Sequence, residues 1–441
     1  MDPVQIASNF SDLKPPLSFE HAVAEAARCL YCYDAPCTQA CPTSINVPEF
    51  IRRIASGNLR GAAHTILESN ILGSSCARVC PTEVLCEGSC VLLQLNMPPV
   101  DIGRLQRYAT DHALEQRIQP FSPAEKTARS VALIGAGPAS LACAAQLSLL
   151  GYRAVVFEAR PEAGGLNRYG IAPYKLTDED ARREVSYIQE ITGFELRTGT
   201  PVDDPRKLES EYDAIFLGVG LGGSRRLMVP GEDKEGVIGA TEFIEGLRSK
   251  PLHETRVGEH VVVLGAGNTA IDAATEAARL GARQVAIVYR RGKDEMPCYE
   301  FEYELALKDR VVFRWHTQPV EVLGDGRVTA LRCQATRPGE PDASGRPRPV
   351  PVPGSEFTIP ADMVIKATGQ ESLKDLLGKI PGLKLAGGQI LVNDDCQTGN
   401  PRYFAGGDCV SGGKEVVNAV ADGRQAALAI HRMLSAGKGE A

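Results

Sequence analysis

Eight of the thirteen cysteines in this chain fall between Cys29 and Cys90, in two runs with the spacing of metal-gripping segments. The first is Cys29-x2-Cys32-x4-Cys37-x3-Cys41-Pro42, and the second is Cys76-x3-Cys80-Pro81-x4-Cys86-x3-Cys90. Compact thiolate runs with a Cys-Pro step are a usual way of holding iron–sulfur clusters, and one run commonly donates a ligand to the other's cluster. Zinc is the rival occupant, because thiolates also suit Zn²⁺. Zinc sites usually pair two short Cys-x2-Cys knuckles, and only one such knuckle occurs here. The remaining cysteines (Cys143, Cys298, Cys333, Cys396 and Cys409) are scattered and are expected to be buried apolar residues.

A second chemistry is written twice. Val131-Ala132-Leu133-Ile134 runs into Gly135-Ala136-Gly137-Pro138-Ala139-Ser140, then an apolar helical stretch, then Tyr152 to Phe157 and Glu158. This is strand, glycine turn, helix and strand, closed by an acid. Gly135 permits the tight turn, and Gly137 lets the backbone approach a pyrophosphate at the helix N-terminus. Ser140 stands where a third Gly or Ala is usual, and is small enough for close helix–strand packing. Glu158 lies about twenty residues on, where a carboxylate accepts from a ribose hydroxyl. The repeat is Val261-Val262-Val263-Leu264-Gly265-Ala266-Gly267-Asn268-Thr269-Ala270, but its second strand, Val285 to Tyr289, ends in Arg290-Arg291. Arginines there suit a 2′-phosphate, through the pairing of a guanidinium fork with phosphate oxygens, and favour NADP(H) over NAD(H); the bland alternative is a solvated basic turn.

The elements that must position these residues follow from the pattern around them. Val47 to Ser69 reads as a helix pair broken at Ser56-Gly57-Asn58, and Ile102 to Leu114 as another helix. Gln119-Pro120-Phe121-Ser122-Pro123 is a linker. Gly164-Gly165-Leu166 opens a loop continuing to Lys175 that suits a flavin and its phosphates, or else an ordinary surface turn. Phe404-Ala405-Gly406-Gly407-Asp408 is a strand running into an acid that can accept from a ribityl hydroxyl, with a helix from about Val416. Met363-Val364-Ile365 leads into Ala367-Thr368-Gly369-Gln370 and carries the chain back. Two halves of a flavin domain therefore flank an inserted nicotinamide domain.

Composition sets the limits. With 441 residues, 43% hydrophobic and 23% charged, the chain reads as a soluble multidomain protein. A net charge of −7 without a basic block gives no footing for nucleic acid. No apolar run approaches bilayer length, and the stretch from Met1 to Pro16 has no signal core, so a cytoplasmic protein with reduced thiols is expected.

From Cys29 to about His431 the chain resembles the family of the glutamate synthase small subunit and the N-terminal half of dihydropyrimidine dehydrogenase. The resemblance rests on both cysteine runs, both GAG turns and Gly406-Gly407-Asp408. Ile102-Gly103-Arg104-Leu105-Gln106-Arg107-Tyr108-Ala109-Thr110 is similar to the dehydrogenase branch, and Tyr169 to Leu176 to its bacterial two-subunit form. The resemblance implies one [4Fe–4S] cluster on Cys29, Cys32, Cys37 and Cys90, and a second on Cys41, Cys80, Cys86 and the amide of Gln106, leaving Cys76 out. It also implies FAD on Glu158, Lys175 and Asp408. The full set of expected flavin contacts is Gly135, Gly137, Pro138, Ala139, Ser140, Glu158, Gly165, Leu166, Lys175, Val202, Gly407 and Asp408. The nicotinamide dinucleotide is expected on Gly265, Gly267, Asn268, Thr269, Arg290 and Arg291, with Thr368 and Gly369.

The expected architecture is α/β: a helical double-cluster domain (1–122), then an FAD domain (123–232 and 363–441) interrupted by an NAD(P) domain (233–362). The dehydrogenase also needs an FMN-binding (β/α)8 domain, for which this sequence has no residues left. The resemblance therefore implies an electron-input subunit serving an FMN- and iron–sulfur-containing partner that reduces uracil or thymine. The alternatives are a glutamate synthase small subunit, a free-standing NAD(P)H–ferredoxin-type oxidoreductase, and a cluster-bearing scaffold.

Overall fold

The computed structural model describes residues 2–342 and 345–436. Met1, 343–344 and 437–441, which fall within the expected domain segments, lie outside the described residues. Two compact units emerge. The larger comprises Asp12–Arg168, Lys175–Leu221 and Ser372–Ala441; the smaller comprises Met1–Ser11, Tyr169–Tyr174 and Gly222–Glu371.

In the larger unit a five-stranded parallel sheet runs in the order β13 (Tyr403–Ala405), β4 (Ala214–Leu217), β1 (Ser130–Ile134), β2 (Arg153–Phe157), β3 (Glu195–Arg197). The central strands are continuous apolar runs, as strands covered on both faces must be, and the order places β1 at the switch point of a doubly wound sheet. The β1–β2 register pairs Ile134 with Phe157, which brings Gly135 and Glu158 level at the carboxyl edge. Helix α6 (Pro138–Leu149) follows the glycine turn, and α9 (Val416–Ala436) crosses it closely. A Cβ on Gly423 would meet the carbonyl of Ala139 at 2.0 Å, so only glycine permits that crossing. Helix α7 (Asp178–Thr192) is capped by the Thr177 hydroxyl, which accepts from Asp180 N at 3.1 Å, and ends at left-handed Gly193.

The same unit contains the cysteine-bearing helices α1 (Phe19–Ala26), α2 (Val47–Ala55), α3 (Leu59–Leu67), α4 (Gly73–Val79) and α5 (Ile102–Glu115). Asn46 caps α2, Gly57 at φ +76° makes the expected turn, and Asn58 caps α3. Phe50, Ile51 and Ile54 bury against Ala62 and Ile66, each large side chain contributing roughly 1.5–3 kcal/mol. These helices share a compact unit with the five-stranded sheet.

In the smaller unit a second parallel sheet has the order β5 (Val237–Gly239), β12 (Met363–Lys366), β6 (His260–Leu264), β7 (Gln284–Val288), β8 (Val312–Arg314). Helix α8 (Asn268–Arg279) follows its glycine turn, and β9 (Thr317–Leu323), β10 (Ala330–Pro341) and β11 (Pro347–Pro360) form an antiparallel sheet. The unit is wider than 233–362, since Gly222 N donates to Glu371 O and Arg225 N to Gly369 O where the chain enters and leaves. Its first eleven residues were expected with the cysteine helices; instead Ile6 and Phe10 pack beside Tyr174 and Leu247.

Candidate cofactor sites

The two glycine turns are built alike. Gly135 has φ +90°, and a Cβ there would stand 2.5 Å from Gly218 O; Gly265 has φ +121°, with Ala367 O at 2.3 Å. In each case the second glycine, Gly137 or Gly267, is the extended residue that caps the following helix. Both turns thus leave helix N–H groups open toward a pyrophosphate.

Around the first turn several of the expected flavin residues meet. Gly165 lies against Gly137, and left-handed Gly407 lies against Ala139, where a Cβ would come within 3.2 Å of the Ala139 Cβ. Pro138 opens α6, and buried Ser140 packs so tightly on β4 that a Cβ on Gly218 would meet its Oγ at 2.1 Å. Glu158 accepts from Ala136 N at 2.7 Å and from Arg160 N at 2.8 Å, which fixes its carboxylate beside the turn. Asp408 is half-buried at the end of β13, and burial raises its carboxyl. Leu166 is 39% exposed at a short helix start, Lys175 is half-buried, and Val202 packs onto the opposite core of the sheet beside Phe157. Asp422 on α9 was missed: its Oδ2 accepts from Gly407 N at 2.9 Å and so orients the Gly406-Gly407-Asp408 turn. Asp422-Gly423 interrupting an Ala/Val-rich helix was the available signal.

At the second turn Asn268 accepts from Tyr299 N at 3.2 Å and Thr269 is exposed. The two arginines part company. Arg290 is exposed at the end of β7, whereas Arg291 is buried, its guanidinium 2.7 Å from Asp342 and donating to Pro347 O at 3.0 Å. Neighbouring residues at a strand end face opposite ways, so the pair does not act as one fork. Thr368 and Gly369 are exposed beyond β12, Gly369 with φ +105°.

The cysteines gather in two groups. Cys29, Cys32, Cys37 and Cys90 line one pocket. Burial, together with the neighbouring Cys32 and Cys90, raises the Cys29 thiol, and burial pushes Cys37 up to about 11. In the other group Cys80 has Cys76, Cys86 and Cys41 as neighbours; a hydrogen bond with Cys76 and burial raise its thiol, and burial raises Cys86. Buried free thiols resist ionisation; bound iron reverses this, because a coordinating thiol is deprotonated outright. Left-handed Tyr31, Ala35 and Ser44 hold the first loop in the tight turns that aim its thiols. Cys29, Cys32, Cys37 and Cys90 thus stand together, as do Cys41, Cys76, Cys80 and Cys86. Gln106 is buried and donates from Nε2 to Gly73 O at 2.7 Å. Among the described residues no three His, Cys, Asp or Glu side chains converge tightly enough for a single ion. Cys143, Cys333, Cys396 and Cys409 are buried as expected, but Cys298 is half-exposed.

The family comparisons divide at the same place as the chemistry. Residues 6–118 match the model for dihydropyrimidine dehydrogenase domain II, 4Fe-4S cluster. Residues 129–423 match the pyridine nucleotide-disulphide oxidoreductase model. The chain belongs to the pyridine nucleotide-disulphide oxidoreductase family. It is 38% identical to the glutamate synthase [NADPH] small chain of Escherichia coli strain K12 over 445 residues, covering 96% of this chain and 94% of that one. It is 34% identical to the NAD-dependent dihydropyrimidine dehydrogenase subunit PreT of the same organism over 426 residues, covering 96% and 97%. In fold it is similar to Mycobacterium tuberculosis FprA in complex with NADPH, with TM-score 0.59 and 22% identity, covering 70% of this chain and 86% of that one. This family member is an NAD(P)-dependent oxidoreductase with FAD and a 4Fe-4S domain. Among its described residues no helix is long and apolar enough to cross a membrane.

Proposed function

We propose that this chain is the electron-input subunit of a cytoplasmic pyrimidine-reducing enzyme. Bound FAD would supply acceptance of a hydride from NAD(P)H, and two [4Fe–4S] clusters would supply single-electron transfer toward an FMN-bearing partner that reduces uracil or thymine to the 5,6-dihydro form. The observation that carries the reading is the joining, in one compact unit, of the Gly135 turn and two groups of four cysteines.

The chain's own residues do the holding. Gly135, Gly137, Gly165 and Gly407 keep side chains out of the flavin cradle, while Glu158 and Asp408 offer carboxylates to its hydroxyls. Gly265 and Gly267 receive the nicotinamide dinucleotide's phosphates, and exposed Arg290 favours NADPH. Cys29, Cys32, Cys37 and Cys90 hold one cluster; Cys41, Cys80, Cys86 and Gln106 hold the other.

A pyrimidine-reducing partner is supported by the match over 6–118. The second reading, a glutamate synthase small subunit, is favoured by the higher identity, 38% against 34%. The anaerobically purified chain should contain one FAD and about eight irons, on the two-cluster count. It should reduce artificial acceptors with NAD(P)H and leave uracil unchanged until an FMN-containing partner is added. Stoichiometric zinc would remove the clusters from the reading, and uracil turnover by the single chain would remove the partner. Reconstitution only with a glutamate-forming partner would establish the second reading.

A further inference from the structure

Glu184 belongs to neither cofactor cradle. It lies on α7, beside the flavin sheet, and is 2% exposed. Its carboxylate accepts from Ser74 N at 2.8 Å, from Ser75 N at 3.0 Å and from the Ser75 hydroxyl. These donors open α4, a seven-residue helix that has no side-chain cap near in sequence. So short a helix is not stable by itself and depends on what grips its ends.

The cysteine groups explain why the grip is there. Helix α4 carries Cys76 and ends at Cys80, and its first carbonyl, Gly73 O, receives the Gln106 amide. Both candidates for the fourth position of the second cluster, Cys76 and the Gln106 amide, therefore hang on α4. The other end of the helix is held by both α5 and α7: Arg78 pairs with Asp111 of α5 at 2.8 Å and with Asp180, one turn before Glu184 on α7, at 3.3 Å. A buried oxygen acceptor shared by several N–H and O–H groups makes a more directional contact than apolar packing would.

We propose that Glu184 is a positioning residue for the second cluster, fixing α4, and with it Cys80 and the Gln106 amide, from the flavin side of the unit. The proposal rests on the two-cluster reading, which the iron content of the wild-type protein tests separately.

The variants are Glu184→Ala, Glu184→Gln and Ser75→Ala, in the full chain with cofactors incorporated. Glu184→Ala should keep wild-type FAD content and one unaltered cluster signal in the reduced-state electron paramagnetic resonance spectrum, while the other signal shifts or is lost. Glu184→Gln retains an oxygen acceptor of the same shape and should restore that signal. Ser75→Ala removes only the hydroxyl donor and should shift the same signal by less, which keeps the test open if Glu184→Ala does not fold. Two unchanged signals in Glu184→Ala would overturn the proposal. So would parallel loss of both clusters and FAD, or an unshifted signal in Ser75→Ala.

Discussion

Gly137 and Gly165 meet backbone to backbone: a Cβ on Gly165 would stand 2.7 Å from Gly137 Cα. The exclusion is one-sided: a Cβ on Gly137 would stand an ordinary 3.8 Å from Gly165 Cα, whereas the Gly165 loop cannot carry a side chain there without opening the cradle. Gly165→Ala should therefore lose FAD while retaining its secondary structure, with a strain cost of roughly 1–3 kcal/mol. The flavin-to-protein ratio and far-ultraviolet circular dichroism check this together. Full FAD occupancy in a folded variant would mean that the contact does not border the flavin.

Arg290 and Arg291 are adjacent in sequence and opposite in role. Arg290→Ala should lower the preference for NADPH over NADH about tenfold, the loss of one charged contact to phosphate of roughly 1.4 kcal/mol, with little change in melting temperature. Arg291→Ala should leave the preference near its wild-type value and destabilise the nucleotide unit, because Asp342 loses the Arg291 guanidinium. With Asp342 25% exposed on its side chain, that cost should be about 2 kcal/mol, below the range for fully buried pairs. KM for both nucleotides and thermal unfolding separate the two; a preference that moves with Arg291 instead would reverse the assignment.

The glycine turns, the strands bearing them and the two cysteine runs were legible because each is a local pattern, in which backbone conformation or ligand spacing is met within a few residues. The contacts that complete the sites are not local. Glu184 reaches Ser75 across 109 positions and Arg291 reaches Asp342 across 51. Neither partner bears a mark of its own in the sequence, and an arginine pair reads the same whether one member faces solvent or an ion pair. Ile6 and Phe10 do stand at helical spacing, but a short apolar face does not say which core it will join.

Glu184 also makes a pH-dependent contribution. Burial raises its carboxyl from 4.5 to about 7, against the Ser75 and Ser74 hydrogen bonds and Arg78, which pull it down. Between those values the folded chain binds a proton that the unfolded chain has released. Stability from this group is therefore complete below about 4.5 and declines as pH rises to about 7. The full effect is about 3 kcal/mol, at 1.36 kcal/mol per pKa unit. Since Glu184→Gln cannot ionise, its melting temperature relative to wild type should climb from pH 5 to pH 7.5. A difference that stays flat across that range would contradict the shifted carboxyl.

Gln106 and Cys76 compete for one position in the second cluster. Cys76 has the softer donor and stands beside Cys80, and spacing alone would favour an all-cysteine site. Gln106 has its Nε2 committed to Gly73 O, which turns the amide into a fixed group rather than a mobile surface side chain. An amide held in this way presents its oxygen in one direction, as a cluster ligand must. Gln106→Ala should alter one cluster's spectrum, leave the other intact and keep FAD bound, whereas Cys76→Ser should leave both spectra near wild type. The cost to Gln106→Ala should exceed that of one neutral hydrogen bond, about 1 kcal/mol, because iron loses a donor as well. If Cys76→Ser abolishes a cluster and Gln106→Ala does not, the second site is all-cysteine. The Gln106 amide would then serve only to tie α5 to the first turn of α4.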